Sequence, residues 1–501
     1  MERRATPDEN TGHGRFECGK LLLKPVRYRL CKVTFCHSHV SPAKHSCPRL
    51  SKGHEKLAGP RTTLNSPFTL ALSSLLTTTA GSRFAGAPAE MLFDYANAPD
   101  PTFDWKKGPS KEVAGGSLSD IVLTSQMWRG MAWKHLLRIA RPAQVSFPGW
   151  MGLLIGGGSG EPKPGEERKE DVLAMGLARS VGAPVAMLSH VPNQPLFGGM
   201  IEDEIISHTF QQYLKDGDPT WPLLFPMVKS ALRAMDALQE HAKQEWQEKI
   251  CGFVVFGASK RGWTTWLTAA VDGGRRVKAI APAVIDVLNM PKQMKHQLEM
   301  WGSYSEQISD YSSKGLTESF SSRRGKALWQ AVDPYSYRKI IAVPKLIILG
   351  SNDRYWTTDA LNLYWDGLVG PKYVLYVPNA GHSLEPGMTR VLNTLSAFFR
   401  TVAGGDSMPE ISWMRKARGD TLTLTIKAKE AKRGRAWVAK ADSMDFRPER
   451  WEPVEMASEE GVLRVTIERP ADKNVAVFGE ADFERDGKPF TLSTQPAILK
   501  K

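Results

Sequence analysis

Three side chains far apart in the chain have the types and order needed for nucleophilic acyl transfer. Ser259 stands in "GFVVFGASKRGWTTWL", between Gly257 and Gly262, where an apolar run meets a helical one. A serine in such a strand-to-helix turn projects its hydroxyl above the sheet edge. The following backbone N–H and the helix N-terminus then face any oxyanion that forms. The usual elbow is G-x-S-x-G, and Arg261 stands where its second glycine belongs, so that side chain must swing away from the sheet. "LIILGSNDRYW" ends a strand with Asp353, and "YVPNAGHSL" places His382 just after the next one. Singly, Asp353 reads as a turn aspartate and His382 as a loop residue. Together, in the order Ser, Asp, His and at successive strand ends, they read as a triad: His382 accepts the Ser259 proton and Asp353 fixes its tautomer.

An oxyanion needs two donors. The Lys260 N–H is one, and the loop "GGGSG" (156–160), which follows an apolar strand, offers Gly157 and Gly158 for the other. Read plainly, that loop is a flexible turn. "GGMIEDEII" places Glu202, Asp203 and Glu204 after "VPNQP". Carboxylates there could bind a substrate α-amino group, or sit in a solvated first helical turn where they complement the dipole. Asn193 and Gln194 orient substrate or satisfy turn hydrogen bonds. Lys260 and Arg261 oppose the dipole of their own helix, so Arg261 is expected to pair with an acid under a cap, Asp286 being the candidate. Trp263 and Trp266 are expected to pack against that cap. This chemistry calls for no cofactor and no metal.

The positioning elements follow from periodicity. "IVLTSQMW" (121–128) and "HLLRIARP" (135–142) read as an antiparallel hairpin. "WMGLLI" (150–155), "PVAMLSHV" (184–191), "CGFVVFG" (251–257), "VKAIAPAVIDVL" (277–288), "PKLIILG" (344–350) and "KYVLYV" (372–377) read as strands. Helical patterns separate them, including 166–180, 226–247 and 390–402. Alternation of this kind predicts a mostly parallel sheet covered on both faces, an α/β fold with its site beyond the carboxyl ends of the strands. Residues 289–340 interrupt it with Trp301, Tyr304, Tyr311, Phe320, Trp329 and Tyr335, and read as a helical cap inserted within a hydrolase domain at 91–405. Beyond Met408 short stretches alternate apolar and polar residues between turns, which predicts a small all-β sandwich over 408–501.

The net charge of +13 over 501 residues is concentrated at the start: residues 1–63 hold 13 Lys+Arg against 5 Asp+Glu, or +8, leaving +5 for the rest. No arginine stripe interleaved with aromatics marks a nucleic-acid surface. Cys18, Cys31, Cys36 and Cys47 lack the paired short spacing of zinc ribbons, and Cys251 alone falls in the remainder. Residues 64–90, "LNSPFTLALSSLLTTTAGSRFAGAPAE", have the layout of a secretory signal: a short apolar core, a preceding Arg61 and an Ala87-Pro88-Ala89 cleavage site. Its distance from Met1 predicts that translation starts near Leu64 and that residues 1–63 are a misassigned start or a disordered basic extension. The expected location is therefore periplasmic or extracellular. No stretch approaches 18 uninterrupted apolar residues, so no membrane span is expected.

"LTSQMW", "GGGS", "HVPNQPL", "IEDEII", "GDPTWPLLFPM", "GASKRGWTTWLTAAVD", "VIDVLNM", "DPYSYR", "PKLIILGSND" and "VPNAGHSL" together resemble the PhoPQ-activated pathogenicity-related protein family, from about Leu92 to Pro496. In that family the elbow is itself G-A-S-K-R-G, which accounts for Arg261. The resemblance implies an exported α/β-hydrolase-fold protein with Ser259, Asp353 and His382 as its triad. The leading expectation from these residues is a secreted serine hydrolase that cleaves an ester or peptide bond of a small-molecule or peptide substrate through an acyl-enzyme intermediate. The competing expectation is a secreted binding or signalling protein on a hydrolase scaffold, with the β tail engaging a protein partner.

Overall fold

The computed structural model describes residues 88–501, together with a two-residue antiparallel pair, β1 (Val26–Arg27) and β2 (Thr34–Phe35). The chain divides into two compact units, Met1–Ser82 and Arg83–Lys501. Apart from β1 and β2, the extension 1–63 and most of the signal-like segment, through Ala87, lie outside the described residues.

The second unit begins with α1 (Pro88–Asn97) and a polar strand, β3 (Asp104–Val113). β4 (Gly116–Trp128) and β5 (Met131–Pro142) form the antiparallel hairpin. Arg129 and Gly130 both take positive φ at its tip, the two-residue turn whose twist matches paired strands. Next come β6 (Trp150–Ile155), α2 (Glu170–Val181), β7 (Val185–Leu188), α3 (Glu202–Asp216) and α4 (Leu224–Trp246). The remainder of the layer is β8 (Gly252–Ala258), α5 (Lys260–Asp272), β9 (Val277–Ala283), β10 (Lys345–Gly350), β11 (Lys372–Val377) and α9 (Met388–Ala403). The nine strands order as β11-β10-β9-β8-β6-β7-β5-β4-β3, parallel from β11 to β7 and antiparallel beyond. The central strands are continuous apolar runs, buried along almost their whole length, because helices cover both faces.

Between β9 and β10 the chain leaves the sheet and forms α6 (Met290–Trp301), α7 (Ser309–Ser312) and α8 (Arg323–Val332). These helices are the cap. Trp263 of α5 donates its indole N–H to Val332 O at 2.6 Å, joining cap and body, whereas Trp266 is fully buried in the body core.

After α9 the chain forms two antiparallel sheets. One holds β12 (Ser412–Arg418), β13 (Thr421–Lys427), β17 (Val462–Glu468) and β16 (Ala457–Glu459). The other holds β15 (Glu452–Glu455), β14 (Arg433–Ala441), β18 (Asn474–Arg485) and β19 (Lys488–Ser493), with β20 (Ala497–Leu499) paired to β18. They pack face to face: Leu463 of β17 lies over Gly434 of β14, and Leu424 and Ile426 of β13 lie over Gly479 of β18. This sandwich covers the β11 edge of the large sheet, where Tyr376 N–H donates to Ser493 Oγ at 2.9 Å, and packs on α9 through Thr491 N–H to Thr394 Oγ1 at 3.2 Å. Covering an edge strand removes a row of unpaired backbone groups. Among the described residues no helix is long and apolar enough to cross a membrane.

Candidate active site

β8 ends in Ala258, and Ser259 carries the bend into α5 with φ 57° and ψ −129°. A non-glycine residue held there costs of order 1–3 kcal/mol, so the surrounding structure must over-determine it. The two glycines allow it. A Cβ on Gly257 would stand 2.7 Å from Arg261 O, and one on Gly262 would stand 2.7 Å from an Ile285 methyl and 3.0 Å from Ala283 O. The Ser259 N–H donates to Ala283 O of the neighbouring strand at 2.9 Å. A serine at this position usually caps its own helix, yet the Ser259 side chain makes no capping bond. Its residue instead lines a cavity of about 50 Å³ between sheet and cap.

His382 lines the same cavity. Its Nδ1 lies 2.8 Å from Asp353 Oδ2, and the other carboxylate oxygen accepts the Tyr355 N–H at 3.0 Å. Both oxygens of a nearly buried carboxylate are thus engaged, which fixes the imidazole. Nε2, the nitrogen left over, is buried and has no hydrogen-bond partner among the described residues. The Tyr355 ring packs on the imidazole with centroids 4.3 Å apart. Burial, together with the charges of Asp203 and Asp353, pushes the Tyr355 hydroxyl up to about 12, so it stays protonated.

The rest of the cavity wall is mostly apolar: Trp263, Met290, Met294, Ile308, Phe320 and Trp329. Lys260 and Asp203 on that wall belong to a closed charge cluster. Lys260 Nζ lies 2.8 Å from Glu202 Oε2 and 3.1 Å from Asp203 Oδ2. Arg261 spans both Glu202 oxygens at 2.6 and 2.8 Å and donates through Nε to Val191 O at 2.6 Å. Tyr311 of the cap donates to Asp203 Oδ1 at 2.9 Å. Burial alone would raise the Glu202 carboxyl, but the hydrogen bonds and charge of Arg261 and Lys260 outweigh it and hold it at about 2. Glu202 and Asp203 do open the first turn of α3, though they are turned onto the two cations rather than solvated.

Arg261 does not meet Asp286. It reaches toward Val191 and Glu202 on the β6–β7 side of β8, while Asp286 follows β9 on the opposite side. Trp263 packs against the cap, but it also lines the cavity. Gln194 is a brace for Glu202, donating to its Oε1 at 2.6 Å and accepting its N–H at 2.8 Å. Asn193 donates to Lys134 O at 2.7 Å. Neither lines the cavity. Gly157 and Gly158 also lie off its wall; the Arg261 guanidinium covers Gly157 so closely that a Cβ would stand 2.6 Å from it. The sequence reading places Tyr311 in the cap but gives it no part in the site, and it passes over Tyr355. Tyr355 had one readable signal, its place two residues after Asp353 in "NDRYW".

The nine-strand order, the strained strand-to-helix serine and the cap between sheet strands define an α/β-hydrolase fold. The sequence pattern of the PhoPQ-activated pathogenicity-related protein family matches residues 92–447, and the chain belongs to that family. It is 29% identical over 451 residues to autocrine proliferation repressor protein A of Dictyostelium discoideum, covering 82% of this chain and 90% of that protein. In structure it is similar to acetyl xylan esterase 1 from Thermoanaerobacterium sp. JW/SL YS485, at 16% identity over 63% of this chain and 92% of the esterase, with a TM-score of 0.43. It is also similar to an S-formylglutathione hydrolase from Agrobacterium tumefaciens, at 13% identity over 60% and 99% of the two chains, with a TM-score of 0.38.

Proposed function

We propose that this chain is an exported serine hydrolase that cleaves esters carrying a small apolar acyl group. One observation carries the reading. Ser259 is held in a strained elbow without a capping bond, on the wall of the cavity that also receives His382, whose Nδ1 is held by Asp353. On substrate binding the Ser259 hydroxyl attacks the carbonyl carbon and its proton passes to His382 Nε2, the ring nitrogen without a partner. The oxyanion forms over the N-terminus of α5, whose first N–H groups have no acceptor within the helix. His382 then returns the proton to the departing alcohol, leaving an acyl-serine that water hydrolyses by the same relay.

The apolar wall favours an uncharged acyl group. An aminopeptidase role for Glu202 and Asp203 is disfavoured, because Lys260 and Arg261 already neutralise them and a substrate amine would have to displace a buried cation. The test is labelling of the full chain with a serine-directed fluorophosphonate, alongside hydrolysis of p-nitrophenyl esters and aminoacyl-nitroanilides. Label on the wild type and none on Ser259→Ala, with esters turned over in preference to anilides, is the expected outcome. Absence of label from both would instead support a binding or signalling protein on a hydrolase scaffold. Export rests on the apolar segment 64–89; sequencing the N-terminus of the mature protein tests it, and a start before Leu64 would contradict it.

A further inference from the structure

Two asparagines flank the acid and the base without reaching the cavity. Asn352 immediately precedes Asp353, and Asn379 stands three residues before His382. Both side chains are turned away from the site and onto one segment of the C-terminal sandwich, the connection between β14 and β15. Asn379 Nδ2 donates to Trp451 O at 2.9 Å and its Oδ1 accepts the Trp451 N–H at 2.7 Å, so one amide pairs with both backbone groups of one residue. Asn352 Nδ2 donates to Arg447 O at 3.0 Å and Glu449 O at 2.7 Å.

The same two asparagines also join the turns to each other. Ser351 Oγ donates to Asn352 Oδ1 at 2.7 Å and accepts the Asn379 N–H at 2.8 Å, while Asn352 N–H donates to Ala380 O at 3.0 Å. The segment they grip is itself anchored at both ends. Trp451 is fully buried against Phe478 of β18, with ring centroids 5.0 Å apart. Arg447, held by Asp445, lies 3.8 Å over the Trp301 ring of the cap and donates to Glu306 Oε2 at 3.1 Å. Nothing in packing alone asks two neutral amides at the ends of β10 and β11 to place four of their five side-chain polar contacts on one distant loop.

We infer that the segment 447–451 of the C-terminal sandwich sets the separation of Asp353 and His382, with Asn352 and Asn379 as its positioning residues. The inference rests on the triad proposed above. It makes the sandwich a part of the hydrolytic site rather than a detachable interaction module. Hydrogen-bonded turns that carry a proton relay need sub-ångström placement, and a shift of about 1 Å lowers the rate about a hundredfold.

Asn379 has φ 58°, a conformation glycine adopts freely and alanine does not, so Asn379→Gly removes the two bonds without adding backbone strain. Asn379→Asp keeps the acceptor for Trp451 N–H and loses only the donor. Asn352→Ala attacks the brace from the other turn. Each is made in the full chain and read in two ways: the rate and pH profile of fluorophosphonate acylation, and the strongly deshielded Nδ1 proton resonance of the Asp353–His382 pair, identified by its loss in Asp353→Asn. The expected result is a fall in acylation rate of about ten- to a hundredfold for Asn379→Gly and Asn352→Ala, a smaller one for Asn379→Asp, and a displaced apparent pKa and Nδ1 resonance in proportion. Unchanged rate, profile and resonance in folded Asn379→Gly and Asn352→Ala would overturn the inference. A wild type that takes no label yet shows the resonance, displaced in Asn379→Gly, would sink the hydrolase and leave the positioning intact. Should Asn379→Gly not fold, the graded Asn379→Asp carries the same two outcomes.

Discussion

The two halves of the site are held by different kinds of force. The half of the proposed nucleophile, Ser259 with Lys260 and Arg261, is a charged assembly closed within the hydrolase body: two cations at the start of α5 against two carboxylates at the start of α3. Each pair of like charges would oppose or merely decorate its own helix dipole, and each is neutralised by the other. The proposed acid–base half, Asp353 with His382, is held by neutral amide contacts to a chain segment 72 to 97 residues further on. One half is therefore sensitive to protonation and the other to the docking of a second β unit. Strain in the nucleophile half is local, whereas order in the acid–base half is borrowed.

The largest effect should come from the acid–base half. Asp353→Asn keeps the shape but offers an amide to His382 Nδ1, which favours the wrong tautomer and leaves Nε2 unable to accept the serine proton. A fall in kcat of about four orders of magnitude is expected on the best p-nitrophenyl ester, with KM little changed. A loss of tenfold or less would mean that His382 does not depend on Asp353, and the contrast between the halves would lose its acid–base term.

The nucleophile half is probed by Glu202→Gln, which leaves the bidentate guanidinium of Arg261 buried without its counter-charge. Breaking one side of such a pair costs about 3 kcal/mol, read as a shift in denaturation midpoint near neutral pH. The pH dependence follows from the sign of the shift. The Glu202 carboxyl is held at about 2 in the folded chain against an ordinary 4.5, so its contribution is fully present above about pH 4.5 and is lost as pH falls toward 2. Wild type and Glu202→Gln should differ by a constant amount above pH 5 and converge on acidification. Parallel curves down to pH 3 would show that hydrogen bonding, and not charge, closes this cluster.

How much of this was readable in the sequence differs between the halves in the same way. The elbow is a local pattern, with Ser259 and its two glycines within six residues, and the continuous apolar runs of β8, β9 and β10 locate the sheet because both faces are buried. Partners on other elements were not readable. The sequence pairs Arg261 with Asp286 only by guesswork about sides, since nothing in it tells on which side of β8 a side chain at the start of α5 will fall. The polar edge strand β3, "DWKKGPSKEV", carries lysines and a proline and shows no apolar alternation, as edge strands exposed to solvent often do. β12, β15 and β16 are exposed in the same way, so apolar alternation beyond Met408 does not reveal them. The brace was invisible for a different reason: Asn352 and Asn379 read as turn residues, and only the fold shows that their amides meet one loop of another unit.

Asp286 lies between the halves, after β9, which separates the strand of Ser259 from the strand of Asp353. It is buried and makes no ion pair among the described residues. Burial, joined by the negative charges of Asp353 and Asp359, pushes its carboxyl up to about 7. The folded chain therefore holds a proton there that the unfolded chain releases near 3.8, and stability falls as pH rises from about 3.8 to about 7. Asp286→Asn removes that dependence while keeping the side-chain shape. The variant should gain on the wild type by about 1.4 kcal/mol from pH 5 to pH 6, measured by chemical denaturation at the two values. Such a gain would show that the acid–base half carries one carboxylate charge, on Asp353, and relies on neutral contacts for the rest. A difference independent of pH would mean that Asp286 is ionised throughout, that both halves are charged assemblies, and that the distinction between them lies only in where their partners come from.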